Sequence, residues 1–497
     1  MKYISTRGNY KQVSAAEVIQ LGMVPTGGLF VPQQIPTFSE EEIYGMKDNT
    51  YQEIACQVLK EFLTDYTADE IEEVVNAAYN QDNFTVEEIT PVVKLDEQYI
   101  LELWHGPTAA FKDMALQIMP YLLAKAIEKV ELEEEVVILV ATSGDTGKAA
   151  LEGFKDVDGI EIIVFYPDEG VSKVQERQMI TTKGDNTAVV AVEGNFDDCQ
   201  STVKEIFADQ EFKELLETEG YQFSSANSIN WGRLLPQIIY YFVAYANLLS
   251  NNELEEEDKI NISVPTGNFG NILAAYYAYQ MGLPVNQFIC ASNDNNVLTD
   301  FLKTGVYDIN RSFKQTISPS MDILISSNLE RFLFEVTGHD AAKVNKWYQQ
   351  LQDEGKFKVD QETKAEIKQV FSGYYATEEE TLETINQVFK RYNYTLDTHT
   401  AVGVKSYQKY KADTNDQTST IIASTANPYK FSKAVLQALE GENKLKDEFE
   451  ILAKLKEVSG LKIHQGLKDL DQQEVRHNRK SSSEGIKAEV KDILEIE

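Results

Sequence analysis

The chain is short of the residues that make covalent or metal-held scaffolds. Its three cysteines, Cys56, Cys199 and Cys290, are odd in number and far apart in 497 residues. That argues against a disulfide framework or a zinc site and suits a reducing cytoplasm. The five histidines contain no His-x-x-x-His pair. Glu102/His105 and Glu474/His477 do have Glu-x-x-His spacing, but a carboxylate metal site needs that motif on two facing helices with further glutamates. Glu102 falls in an expected strand and Glu474 in a polar tail, so no metal is expected.

Positive charge is also scarce. Lys and Arg number 46 against 80 Asp and Glu, for a formal charge of -34. Nucleic acid and anionic membrane are therefore disfavoured as partners. Any site for an anionic substrate has to be built locally, from lysines, arginines and helix N-termini. No long run is apolar enough to span a bilayer: the best, Leu234 to Leu249, contains Pro236 and Gln237 and reads as a buried helix. The opening residues Met1-Lys2-Tyr3-Ile4-Ser5-Thr6-Arg7 lack the apolar region of a signal peptide. A soluble cytoplasmic protein with no obligate protein partner is expected.

Apolar material is plentiful: 42% of residues are hydrophobic, with 25 tyrosines and 23 phenylalanines. This length predicts two or three domains. Residues 1–85 read as a small, mostly helical N-terminal domain, with helical spacing over Tyr51 to Leu63 and Asp69 to Tyr79. Residues 86–470 repeat strand, loop and helix. Val136-Val137-Ile138-Leu139-Val140-Ala141 is a continuous apolar run, the pattern of a strand buried on both faces of a parallel sheet. Strands at 160–165 and 187–192 alternate with helices up to about residue 210, giving a compact α/β lobe over about 130–225. A second series has strands at 260–264, 287–291 and 420–424. A charged stretch at about 340–390 reads as a helical insertion, and 471–497 as a polar tail that frays.

Three polar loops follow strand ends, at 142–147, 265–271 and 424–428, the edge where ligands bind in open α/β sheets. Gly267-Asn268-Phe269-Gly270-Asn271 opens a helix with glycines and amides suited to a phosphate, although a ligand-free turn has the same pattern. Ser143-Gly144-Asp145-Thr146-Gly147-Lys148 fails the P-loop pattern, with Thr142 at the first glycine and Ala149 where Ser or Thr must hold magnesium. It still suits a carboxylate or phosphate, or is a plain capped helix start. Thr108 is a plausible N-cap for a helix running to Pro120, which would place Lys112 in the first turn. There the helix dipole lowers its pKa and favours the free amine that a Schiff-base lysine needs. His105 and His399 read as acid–base groups or, more commonly, as hydrogen-bonded packing residues.

His105-Gly106-Pro107-Thr108-Ala109-Ala110-Phe111-Lys112-Asp113, then Ser143 to Gly147, then Gly267 to Asn271, together resemble the threonine synthase family. The likeness extends through Ser5 to Gly8, Gly27 to Pro32, Asn227 to Arg233, Asn293 to Phe301, Ser318 to Asp322 and Thr398 to Gly403. The long N-terminal region and the insertion are similar to the fungal and enterobacterial branch. This resemblance implies a tryptophan-synthase-β-like fold (fold type II): two open α/β lobes with pyridoxal 5'-phosphate between them, plus a helical N-terminal domain. It implies a carbon–oxygen lyase acting on O-phospho-L-homoserine to give L-threonine and phosphate, the last step of threonine biosynthesis. Lys112 would hold the cofactor as a Schiff base and move protons. Gly267, Asn268, Phe269 and Asn271 would bind its phosphate, and Thr425 would face the pyridine nitrogen. Ser143, Gly144, Asp145 and Thr146 would take the substrate carboxylate, with Asn230 and Arg233 weaker candidates for the substrate phosphate. In one place the chain departs from the family: the usual Thr-Ala-His-Pro is Thr425-Ala426-Asn427-Pro428 here.

Overall fold

The apolar run at 136–140 predicts a strand covered on both faces, and its side chains divide in that way. Val136, Ile138 and Val140 enter one core, while Val137 and Leu139 enter another, all of them fully buried. In the computed structural model, which describes residues 1–142, 144–168, 171–194, 196–441 and 444–496, this strand is Glu135–Ala141 in a five-stranded sheet. The order across that sheet is Arg479–Ser481, Thr187–Val192, Ile160–Pro167, Glu135–Ala141, Tyr221–Ser224, and every pairing is parallel.

The second lobe is a six-stranded sheet in the order Phe371–Tyr375, Val285–Ser292, Ile260–Pro265, Thr420–Ser424, Gln98–Glu102, Val92–Leu95. Only the last pairing is antiparallel. All parallel strands end at one edge, so the turns after Glu102, Pro265 and Ser424 are neighbours. The helix Pro236–Ser250 is buried on nearly all sides, as its apolar run predicts.

The N-terminal region opens with Tyr3–Ser5 paired antiparallel to Phe30–Pro32. Its helices Ala15–Leu21, Tyr51–Phe62 and Ala68–Ala78 each start with a capping box, from Ser14, Thr50 and Thr67. Trp231 packs edge-on against Tyr3 at 5.5 Å and Tyr277 at 5.4 Å and lies 5.6 Å from Phe62, so residues on both sides of position 85 share one core.

Three local expectations are corrected. The tail from 471 does not fray. Arg479–Ser481 adds a parallel edge strand, and Ile486 and Val490 of the helix Ile486–Ile493 bury themselves against Val137, Leu139 and Val190. Three apolar residues at helical spacing, Ile486, Val490 and Leu494, anchor a polar segment. The charged stretch at 340–390 contains the helices Ala341–Glu354, Gln361–Val370 and Glu378–Tyr392, but Phe371–Tyr375 between them is a sheet strand. Its Gly373 lets it lie against the backbone of Thr299, where a Cβ would come within 2.9 Å of that Cα. Finally, Thr108 caps no helix. The helix Asp113–Leu116 begins right after Lys112, and a second helix, Met119–Val130, follows. Ala109 takes a left-handed turn at φ 62°, which ends any helical path from Thr108.

Candidate active site

The stretch carrying Lys112 is stitched to the loop after Thr420–Ser424. Phe111 N–H donates to Thr425 O at 2.9 Å and Asn427 N–H to Ala109 O at 3.0 Å, around a bridge between Ala110 and Ala426. Asp113 reaches back over the turn and accepts from Thr108 N–H at 2.9 Å and the Thr108 hydroxyl at 2.6 Å. Burial pushes its carboxyl up to about 6, against the pull of those hydrogen bonds. Gly106 has to be glycine here, because a Cβ would sit 2.4 Å from Asp113 Cβ.

Two buried lysines and one half-buried lysine, Lys112, lie in this region, and their partners separate them. Lys148 Nζ pairs with Glu152 and donates to the Thr182 hydroxyl at 3.0 Å. Lys430 Nζ lies 2.9 Å from Asp145 and donates to Thr108 O at 3.2 Å and Gln178 Oε1 at 2.9 Å. Among the described residues Lys112 Nζ pairs only with Asp145 Oδ2, at 3.7 Å, and it keeps 14% of its side chain exposed. Burial lowers its pKa; Asp145 opposes that shift, while the charges of Lys430 and Arg233 add to it. An amine with a depressed pKa and no tight partner is the one able to act as a nucleophile.

Gly267 to Asn271 forms the turn between Ile260–Pro265 and the helix Gly270–Gln280. Phe269 adopts φ 61° and is buried, so its ring anchors the turn while the amides are left at the helix start. The turn is clamped from behind: Asn328 N–H and Nδ2 both donate to Asn268 O at 3.1 Å, and the Ser326 hydroxyl to Gly267 O at 2.8 Å. A Cβ on Gly267 would meet Ser320 O at 2.7 Å. Asn271 accepts from the Tyr241 hydroxyl through Oδ1, and its buried Nδ2 has no partner among the described residues. An orphaned donor at a helix N-terminus marks a place for an anion.

The equivalent turn of the other lobe leads from Glu135–Ala141 into the helix Asp145–Phe154. Ser143 lies outside the described residues. Thr142 Oγ1 accepts from Gly144 N–H at 3.0 Å and Gly147 N–H at 2.9 Å. Gly144 sits at φ 138°, a conformation open to glycine. Thr146 is half-buried. Asp145 points across to the other lobe. Burial would raise its pKa, but Lys430 and Lys112 outweigh burial and hold the carboxyl well below the ordinary range.

Arg233 is buried with an unpartnered Nε, and burial brings its guanidinium down to about 10. Its Nη1 donates to Ala226 O, and no carboxylate pairs with it among the described residues. Asn230 is different. Its Nδ2 donates to Ile19 O and Ser225 O and its Oδ1 accepts from Gly232 N–H, so its side chain is fully used in holding the backbone. The expectation that Asn230 meets a substrate phosphate is corrected on that ground. Lys112 and Lys430 thus face one ionised carboxylate, Asp145, and Arg233 lies near enough to Lys112 to lower its pKa, which gives a locally basic site in a chain of charge -34.

Three family models match the chain: "Threonine synthase N terminus" over residues 2–79, "Pyridoxal-phosphate dependent enzyme" over 84–425 and "Threonine synthase, C-terminal" over 400–476. The threonine synthase of Pseudomonas aeruginosa is 39% identical, with 89% of this chain and 91% of that protein covered. The chain belongs to the threonine synthase family of pyridoxal-phosphate-dependent enzymes. It is also 42% identical to human threonine synthase-like 1, over 88% of this chain and 61% of that protein. The chain spans about 60% of the length of the first such curated relatives. The crystal structure of yeast threonine synthase superposes with a TM-score of 0.89 at 34% identity. A PLP-bound threonine synthase from Brucella melitensis gives 0.87 at 36%, and each pair is 99% covered on both sides. The fold type II architecture is thereby established.

The residues present fit the cofactor of this family. The loosely paired amine of Lys112, the orphaned Nδ2 of Asn271 and the amides at the start of Gly270–Gln280 are the donor set an aldehyde and a phosphate require. Thr425 is buried at the end of the neighbouring strand, its carbonyl tied to the Lys112 stretch. Both weighed histidines are buried and hydrogen-bonded. His105 meets Glu102 at 2.7 Å and the Thr85 hydroxyl at 3.1 Å. His399 lies 3.3 Å from Asp397 and accepts from Ser320 N–H at 3.1 Å. Reasoning from the sequence missed Lys430, Gln175 and Asn328. Nothing in the sequence around these three residues singled them out.

Proposed function

We propose that this chain converts O-phospho-L-homoserine and water into L-threonine and phosphate as a pyridoxal-phosphate-dependent carbon–oxygen lyase. The observation that carries the reading is Arg233: a buried guanidinium with an unused Nε and no carboxylate, close enough to Lys112 to depress its ionisation. Such a group is stable only if an anion completes it. A substrate with a terminal phosphate does so, whereas serine or threonine, the substrates of a β-eliminating dehydratase, would leave it unpaired.

In this reading Lys112 bonds the cofactor and Gly267, Asn268, Phe269 and Asn271 seat its phosphate. Thr425 offers a hydroxyl to the pyridine nitrogen. The bound cofactor supplies the electron sink that stabilises carbanions. The chain's own part is orientation and proton movement. The turn at 143–147 fixes the substrate carboxylate, and Arg233 holds the phosphate. Between them the Lys112 amine takes the proton from the α-carbon and then one from the β-carbon. The γ-phosphate leaves, water adds its hydroxyl at the β-carbon, and the abstracted protons are returned to the γ-carbon, which becomes the methyl group, and to the α-carbon. The division into an N-terminal domain (1–85), a catalytic region (86–470) and a tail belongs to this proposal. So does a reducing, cytoplasmic setting, which the absence of a disulfide among the described residues suits.

The test is phosphate release from O-phospho-L-homoserine by the cofactor-loaded chain, with threonine identified as product. Stoichiometric phosphate and threonine support the reading. Ammonia and 2-oxobutyrate from free threonine, with no phosphate released from the phosphoester, would replace it with a dehydratase.

A further inference from the structure

We infer that Lys430 is a positioning residue that cancels the charge of Asp145, so that the 142–147 turn can accept a substrate carboxylate. The inference rests on the reading above, which assigns that turn to the carboxylate.

A turn that receives an anion normally offers neutral donors and helix amides. This one carries its own carboxylate as the first residue of the helix Asp145–Phe154, with only 5% of the side chain exposed. Two carboxylates in one buried turn repel, and one of them would have to leave or protonate. Lys430 answers this from the opposite lobe. Its side chain is completely buried, and its ammonium meets three acceptors: Asp145 Oδ1 at 2.9 Å, Gln178 Oε1 at 2.9 Å and Thr108 O at 3.2 Å. An ammonium whose three N–H groups are so occupied acts as a fixed charge.

The two oxygens of Asp145 are divided between duties. Oδ1 faces Lys430 and accepts from Gln175 Nε2 at 2.8 Å. Oδ2 faces Lys112 Nζ at 3.7 Å and the Ser320 hydroxyl at 3.4 Å. Lys112 has to be a neutral amine to do chemistry, and in that state Asp145 loses one of its two cations. Lys430 is the one that stays. Asp113, the other nearby acid, is already held by Thr108. The turn that aims Lys430 is built from the residues where this chain departs from its family. Asn427 Oδ1 caps the one-turn helix Pro428–Phe431 by accepting from Tyr429 N–H at 3.1 Å, and Lys430 N–H donates to Asn427 O at 2.9 Å. Asn427 therefore has a structural task of its own.

Rescue is the test. Lys430→Met, Asp145→Asn and the double variant are prepared as cofactor-loaded full chains. For each, KM and kcat on O-phospho-L-homoserine are measured, together with the Kd of an unreactive amino-acid phosphonate followed by the cofactor's visible absorbance. Lys430→Met should raise KM and Kd by about tenfold or more, because it strands a buried carboxylate. Adding Asp145→Asn should bring Kd back to within about threefold of Asp145→Asn alone, the coupling expected of a direct charge pair. A wild-type Kd in Lys430→Met, or a double variant that binds about tenfold more weakly than Asp145→Asn, overturns the inference. If Lys430→Met does not fold, the double variant set against Asp145→Asn carries the same decision. A wild-type chain that releases no phosphate overturns the parent reading and this inference together; wild-type turnover with no rescue overturns the inference alone.

Discussion

Two strand-to-helix turns face each other across the site, one from each lobe, and they are built on opposite plans. The turn at 265–271 is neutral and held from behind. Asn328 and Ser326 take up its carbonyls, Phe269 buries its ring, and what remains free is a set of donors. The turn at 142–147 is charged and held from in front. Its carboxylate reaches across the gap to Lys430 and Ser320 on the other lobe. The first plan suits a ligand that stays, since nothing has to move for it to bind. The second suits one that comes and goes, since its long contacts to Lys112 and Ser320 are ones an incoming substrate can replace while Lys430 stays. On the proposed function, one sheet geometry serves as a cofactor seat and as a substrate seat, according to where the clamps are placed.

The residue that serves both seats gives the largest expected effect. Lys112→Ala should cut phosphate release by at least about a thousandfold while leaving the fold intact by circular dichroism. Turnover near wild type would mean that neither turn is where the chemistry happens. Next is Arg233→Met, expected to raise KM for the phosphoester by roughly tenfold to a hundredfold with cofactor uptake unchanged. Loss of cofactor instead would move Arg233 to the other seat. The sharpest contrast comes from two glycines. Gly267→Ala forces a Cβ within 2.7 Å of Ser320 O, and Gly144→Ala within 2.6 Å of the Gln175 amide at φ 138°. Each costs about 1–3 kcal/mol of local strain. The first should weaken cofactor binding in an equilibrium titration, and the second should raise substrate KM. The same parameter failing in both would erase the distinction between the turns.

A smaller effect concerns pH. Because burial lowers the pKa of Lys112, its free-amine fraction grows with rising pH and saturates below the ordinary lysine value of 10.5. The rate at which cofactor-free chain takes up pyridoxal phosphate should therefore climb with pH to a plateau whose midpoint lies under that value. The smallest effect is expected far from the site. Ile486→Ala removes a buried side chain under the five-stranded sheet and should cost about 2–4 kcal/mol of stability, read by chemical denaturation, with KM unchanged.

Much of this was legible in the sequence because it depends on local patterns. A continuous apolar run marked the strand at 136–140, shorter β-branched stretches marked those at 260–264 and 420–424, and glycine-rich sequences marked the two turns that face each other. What could not be read depends on contacts between distant residues. Nothing around Lys430 announces that Asp145, 285 positions earlier, will become its partner. Asn230 offered an amide beside an arginine, yet Ile19 and Ser225 use that amide to hold the N-terminal region in place. The strand Phe371–Tyr375 is five residues between charged helices, and only the sheet edge it completes gives it an identity. Likewise the polar tail hides Ile486 and Val490, whose burial exists only once the five-stranded sheet is there to receive them.

The most direct test is to load the chain with pyridoxal phosphate, reduce it with borohydride and map the modified peptide. The cofactor's mass should appear on Lys112, the one of these three lysines without a tight partner. An adduct on Lys148 or Lys430 instead, or none at all, would contradict the account of the site.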